Sequence, residues 1–283
     1  MNIDKESVSI TFSDAAKTYD AWAIHQRLAA TKLIKLLPDI HVCEKILDAG
    51  CGTGLLTRMA YTRYTNAAFL GMDISQQMIS YCQSFFGHIK NMTFLVHDLE
   101  KLNEVNFPST FDLTLSSFTL QWIENVDRVI EAFVHSLNPG GYLGIAVPVK
   151  DSLFELHNSF NSAFDTKMHG LNYRNSDYYI SALKQQSVSI CTSHVEDICI
   201  FLSGMDILRY FKYTGTTFRH TPSYRPKTIK EINNLLTHYG KKYGRDDNLL
   251  PLTFKVLFII AQKHIKPPHL NHGVIAEGLF NAN

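Results

Sequence analysis

The chain has 283 residues, 45% of them apolar and 19% charged, with a net charge of +1 at pH 7. That is the make-up of an ordinary globular protein with room for one sizeable domain, and it excludes a disordered or low-complexity chain. The longest apolar run, 256–261, is far short of the roughly 20 residues a membrane span needs.

The first ten residues carry no basic segment followed by an apolar core, so no secretory signal is expected. The five cysteines, at 43, 51, 82, 191 and 199, form no CxxC pair and face no matching histidine pair. A reduced, cytoplasmic protein without a metal is therefore expected, and His25 and His169 have no companions that would make them metal ligands. Charge is uneven: twelve Lys or Arg against four Asp or Glu over 201–270, but fifteen against twenty-one over 1–200. The basic stretch reads either as a solvated face or as a docking surface for an acidic partner.

In chain order, 13–37 has helical spacing, with Ser13 as N-cap, Pro38 as stop, and Ala16, Tyr19, Ala23, Leu28, Leu33, Leu36 and Leu37 as buried positions. Strands and helices then alternate. Strands are expected at 45–50, 67–73, 92–98, 111–118 and 141–149, and helices at 55–65, 75–86 and 125–137. Such alternation argues for a parallel sheet covered by helices on both faces. Beyond 150 the rhythm breaks into a helix and loops to 187, a strand at 187–202, helices at 203–213 and 227–240, and a last strand at 252–263. Residues 264–283 read as a flexible tail. The expected organisation is one domain over 1–263. It has a cap helix at 12–37, a cofactor-binding core at 45–150, cap and substrate elements at 151–250, and the last strand.

The turn after the first strand, "DAGCGTG", is where an open parallel sheet places its ligand. A P-loop would end in Gly-Lys-Ser or Gly-Lys-Thr, whereas Leu55 and Leu56 follow Gly54 here. A dinucleotide fingerprint spaces its glycines G-x-G-x-x-G, and here the third glycine comes one position early. Asp48 lies beside the turn. Asp73 ends the second strand, where a carboxylate can accept both hydroxyls of a ribose, and Asp98 ends the third, within reach of an adenine edge. A ligand with ribose, adenine and amino group but no phosphate suits this arrangement; S-adenosylmethionine is one.

The series "LDAGCGTG", "GMDIS", "HDLE" and "LNPGGYL" resembles the motifs of class I methyltransferases. The resemblance implies a Rossmann-like α/β fold with a seven-stranded, mostly parallel sheet and a helical cap from insertions. It implies that Gly50, Gly52 and Gly54 back the methionine part, Asp73 holds the ribose, and Asp98 with Leu99 faces the adenine. Asp48, Cys51, Ile74 and Ser116 complete the implied cofactor set.

Further segments resemble one family, the malonyl-acyl-carrier-protein O-methyltransferases that open pimelate synthesis for biotin. These are "FSDAAKTYDAWAIHQR", "SSFTLQWIEN", "DSLFELHNSF", "DILRYFKYTGTTF" and "LPLTFKVLFIIAQK", together spanning about 12–263. Malonyl-loaded acyl carrier protein is then the expected partner, with no nucleic acid, no membrane and a monomeric enzyme. Tyr19, Gln121 and Trp122 become candidates for the reacting centre. Arg27 would orient the substrate carboxylate, and Arg209 and Lys212 would receive the acidic carrier. Methyltransferases of another small acid or quinone precursor share the core motifs, and a non-catalytic cofactor-binding assembly factor would share the turn.

Overall fold

The computed structural model describes residues 5–104, 111–164, 173–216 and 227–265, without the side chain of Asn103. The expected tail lies outside these residues from 266 onward, as does His169. Among the described residues seven strands form one sheet in the order β3-β2-β1-β4-β5-β7-β6. They are β1 (Lys45–Ala49), β2 (Ala68–Asp73), β3 (Met92–Val96), β4 (Phe111–Ser117), β5 (Leu137–Pro148), β6 (Val188–Leu202) and β7 (Leu250–Lys263). Only β7 runs against its neighbours, pairing antiparallel with both β5 and β6. The strand order reverses between β1 and β4, so the crevice at their carboxyl ends is the natural ligand position.

β1 follows its burial pattern: Ile46, Leu47, Asp48 and Ala49 are all buried, as a central strand covered on both faces requires. Pro148 ends β5, where the missing N–H costs the sheet least.

One face carries α3 (Ile24–Leu36), α4 (Leu55–Arg63), α5 (Gln76–Phe86), α9 (Gly204–Tyr213) and α10 (Ile229–Tyr243), which share a core through Leu33, Leu56, Ile79, Ile207 and Leu235. The other is covered by α6 (Val126–Ser136) and α8 (Ser176–Lys184), packed through Val129, Phe133, Tyr179 and Leu183. Helix α7 (Phe154–Phe164) packs on α10. Helices α7, α9 and α10 fall where helices are expected after 150, and α8 is a second helix in a stretch expected to hold only one.

The N-terminal segment departs from the single helix that periodicity suggests. It forms α1 (Lys5–Ala15), a one-turn α2 (Tyr19–Trp22) and α3. The breaks come from tertiary contacts rather than from Pro or Gly. Asp20 accepts from Thr53 and pairs with Arg58 at 3.5 Å, and the Trp22 ring lies 5.4 Å from Tyr213. Ser13 accordingly caps nothing. It sits inside α1 and bonds Ser75 and Gln77 on α5. Leu28 is 45% exposed, because α3 turns its Ala29, Ala30 and Leu33 stripe to the sheet instead.

Beneath α2, the fully buried His25 ties α3 to the far side of the fold. Its Nε2 lies 2.9 Å from the Leu252 carbonyl, which can only accept, so that nitrogen carries the proton. Nδ1 then accepts from the Tyr210 hydroxyl at 2.9 Å. Burial pushes the imidazole down to about 4, so the ring is neutral at pH 7. Tyr210→Phe should strip Nδ1 of its donor and cost about 1–3 kcal/mol in urea unfolding; an unchanged midpoint would show that the hydroxyl supports nothing.

Candidate functional site

The carboxyl ends of β1, β2, β3 and β4 open into a cleft of roughly 960 Å³, counting the solvent space at its mouth. The glycine turn forms its floor. Gly50, Gly52 and Gly54 adopt φ of 79°, 54° and 78°, a region that side chains disfavour. The turn is pinned from behind: the N–H groups of Gly50 and Cys51 both reach the Met72 carbonyl, at 2.8 and 2.9 Å. The Asp73 carboxylate then takes the Gly52 N–H on one oxygen and the Ser75 N–H on the other, each at 2.9 Å. Both oxygens keep lone pairs free toward the cleft.

The three glycines serve different ends. A Cβ on Gly50 would lie 2.2 Å from Thr119 Oγ1, so this glycine lets the segment after β4 lie against the turn. A Cβ on Gly52 would meet nothing within 4 Å, which leaves bare backbone facing the cleft. Gly54 does not line the cleft. It caps α4, and a Cβ there would meet the Phe86 ring at 2.7 Å.

Of the other expected cofactor residues, Asp48, Cys51, Ile74, Asp98 and Leu99 do line the cleft. Asp48 is 1% exposed. One oxygen accepts from Thr57 at 2.6 Å, and the other, Oδ1, has no partner. Burial pushes its carboxyl up to about 7. Asp98 is engaged already, by the Lys5 ammonium at 2.7 Å and the Glu100 N–H at 3.0 Å. Ser116 points the other way, donating to the Ala49 carbonyl, while its neighbour Ser117 lines the cleft. Side chains alternate along a strand, and the choice between the two serines depends on which face of β4 the cleft occupies.

Helices α1 and α2 roof the cleft. Lys5, Val8, Phe12 and Tyr19 line it from above. Lys5 bridges Asp98 and Glu100, at 2.7 and 3.1 Å, and Ser9 lies 3.4 Å from the Ile74 carbonyl. Of these roof residues only Phe12 and Tyr19 lie in a segment marked by the resemblance, and only Tyr19 was singled out. Tyr19 stays protonated, because burial raises its hydroxyl and the Asp73 and Asp20 carboxylates add to the effect. Phe12 stands 6.3 Å from the Tyr19 ring and 5.3 Å from that of Trp122, edge to face.

Trp122 lines the cleft and Gln121 does not: the Gln121 amide donates to the Phe118 carbonyl at 2.7 Å. Arg27, expected to orient a carboxylate, is exposed and outside the cleft, and Gln26 lines it instead. Successive helical residues differ by 100°, so seating Gln26 inward turns Arg27 to solvent. Arg209 and Lys212 are exposed on α9. Arg209 pairs with Asp206 at 2.9 Å, and Lys212 lies over the Tyr213 ring at 5.5 Å, next to Trp22 of the roof.

The site fits S-adenosylmethionine on three observations: bare backbone at Gly52, lone pairs at Asp73, and an orphaned carboxylate oxygen at Asp48 suited to an ammonium group. Among the described residues no group of three potential metal ligands gathers, and no helix is long and apolar enough to cross a membrane.

The Asp48 pKa is raised from 3.8 unfolded to about 7 folded, so its contribution to stability is complete below 3.8 and is lost as pH climbs through about 7. The cofactor's ammonium selects the ionised form, so its affinity should strengthen from pH 6 to pH 8. Calorimetry in buffers of different ionisation enthalpy should show proton release at pH 6, and Asp48→Asn should abolish it. Gly50→Ala should weaken cofactor binding at least tenfold by pushing Thr119 off the turn, as read by the same calorimetry.

Residues 46–141 match the model of a methyltransferase domain family. The chain is 30% identical over 262 residues to malonyl-[acyl-carrier protein] O-methyltransferase 2 of Ilyobacter polytropus, covering 93% of this chain and 99% of that one. It is 27% identical to the malonyl-[acyl-carrier protein] O-methyltransferase of Halalkalibacterium halodurans, covering 93% and 100%. The [4+2]-cyclase SpnF superposes with a TM-score of 0.51 at 19% identity, over 85% of this chain and 81% of that one, a likeness of fold alone. The class I methyltransferase fold, the cofactor cleft and the end-to-end match to these enzymes together establish that the chain belongs to the malonyl-[acyl-carrier protein] O-methyltransferase family.

Proposed function

We propose that the protein transfers a methyl group from S-adenosylmethionine to the free carboxylate of malonyl-acyl carrier protein, giving the methyl ester that primes pimelate and biotin synthesis. The acceptor is carried by the match to relatives so named along nearly their whole length. When bound, the cofactor supplies a methyl group activated by its sulfonium charge.

The chain's own residues provide position and a dry environment. Asp73 offers its lone pairs to the ribose hydroxyls, Asp48 its free oxygen to the ammonium, and Asp98 and Leu99 flank the adenine end. A malonyl carboxylate is ionised at pH 7, so no general base is required. Tyr19, whose hydroxyl is held protonated, is accordingly a wall of the site rather than a base. The α1–α2 roof excludes water, and its aromatic rings face the place where a cation would sit. Alignment and exclusion together account for several kcal/mol of barrier in such displacements.

The carrier protein is acidic, and the exposed cations of α9 stand beside the roof. We assign Arg209 and Lys212 to its reception. Reversing both charges should raise the Michaelis constant for malonyl carrier protein and leave that for a small malonyl thioester unchanged; an equal effect on both would remove the docking role. The reaction itself is tested by incubating the protein with cofactor and malonyl carrier protein and weighing the product. A gain of about 14 Da, the mass of a methylene, is expected. Cofactor binding without it would make the protein a non-catalytic member of its fold.

A further inference from the structure

Four buried polar atoms at the cleft make no hydrogen bond: Asp48 Oδ1, His97 Nε2, Ser117 Oγ and Trp122 Nε1. Three of them can accept. The indole N–H of Trp122 can only donate, so it calls for an acceptor that the ligand must bring. Burying such a donor unpaired costs about 1–3 kcal/mol, which a ligand would recover.

Its position indicates which ligand. Asp73 ends β2, and Asp98 follows β3, which stops at Val96 rather than at Asp98, whereas Trp122 follows β4, on the other side of β1 in the sheet order. The ribose and adenine positions thus lie to one side of the glycine turn and the indole to the other. Thr119 ties the indole's segment to the turn, its hydroxyl 3.3 Å from the Gly50 carbonyl. The indole is held edge-on by Phe12, with Tyr19 and Phe118 completing an aromatic wall.

Among the described residues the one lysine or arginine at the cleft is Lys5, and its ammonium is bonded to both Asp98 and Glu100. We propose, resting on the acceptor assigned above, that the Trp122 indole N–H holds the reacting carboxylate, and that the clamp on that carboxylate is uncharged.

Electrostatics favours such a clamp. A carboxylate oxygen uses a lone pair to form the new O–CH₃ bond, while the S–CH₃ bond breaks and leaves its electron pair on sulfur. No proton moves. A negative and a positive charge become two neutral products, so the transition state carries less charge than the reactants. A lysine or arginine on the carboxylate would stabilise the reactants more than the transition state and slow the step. A neutral N–H fixes the oxygen's position at a smaller cost to the rate.

The chain has only two tryptophans, which makes the idea directly observable. In ¹⁵N-labelled protein saturated with S-adenosylhomocysteine, Trp22→Phe assigns the remaining indole resonance to Trp122. Adding malonyl-pantetheine should move that indole proton downfield, and adding its methyl ester should move it far less. Trp122→Phe should raise the Michaelis constant for malonyl-pantetheine about 10- to 100-fold, the worth of a hydrogen bond to a charged group, with the cofactor dissociation constant measured in parallel. Phe12→Lys, placing an ammonium beside the indole, should produce the opposite split: a lower Michaelis constant and a lower kcat. An indole resonance unmoved by malonyl-pantetheine, in a protein that methylates it, would overturn the clamp and leave the assigned reaction standing. Failure of the unaltered protein to methylate any malonyl thioester would overturn both.

Discussion

The carboxylate of Asp73 is the constraint on which the site depends. It is half-buried at the end of β2, where desolvation makes its charge costly and raises its pKa. The N–H groups of Gly52 and Ser75 offset that cost. Those two bonds fix the glycine turn against β2 and set the start of α5, whose N-cap is Ser75. The geometry of the floor and the position of the Asp73 oxygens at the cleft are therefore one feature. Removing the carboxylate would release the turn as well as the ligand, so its loss cannot be read as the loss of a single contact.

The cleft gathers three carboxyl groups, Asp48 and Asp73 near the ends of β1 and β2 and Asp98 just past β3, where Lys5 pairs with it. For a cofactor bearing an ammonium and a sulfonium this is attractive; for an anionic acceptor alone it is not. The buried Asp48 carries the same logic. Burial raises its pKa, and a cationic ligand group beside its free oxygen would lower it again.

Much of this was legible in the sequence, and the failures have physical causes. The strands and their order of appearance were readable because central strands bury both faces and leave continuous apolar runs bounded by turns. The place of Asp73 at the cleft was readable because the ligand position in an open parallel sheet is a topological property. What periodicity missed was set by contacts distant in sequence. The breaks in the N-terminal helix follow from Asp20 meeting Thr53 and Trp22 meeting Tyr213. Ser116 against Ser117, Gln121 against Trp122 and Gln26 against Arg27 are each a choice of one residue in register, which only the packed fold decides. Gly54 matched the motif yet serves the packing of Phe86, because spacing shows that a glycine is required and not which neighbour requires it.

Charge is partitioned by distance from the reacting centre. The basic excess of 201–270 appears on the outside, at Arg209 and Lys212 on α9. There it can act through solvent over a Debye length of about 8 Å to gather an acidic carrier. The core beside the cleft is aromatic and neutral: His25 is uncharged, packed 4.7 Å from Phe254 and bonded to Tyr210, and Phe254 in turn meets Phe118 at 5.5 Å. A cation moved from the surface into that interior would hold the acceptor's charge at the step that must extinguish it. Steering and chemistry thus make opposite demands on positive charge, and among the described residues the one lysine at the cleft, Lys5, is already held by Asp98 and Glu100.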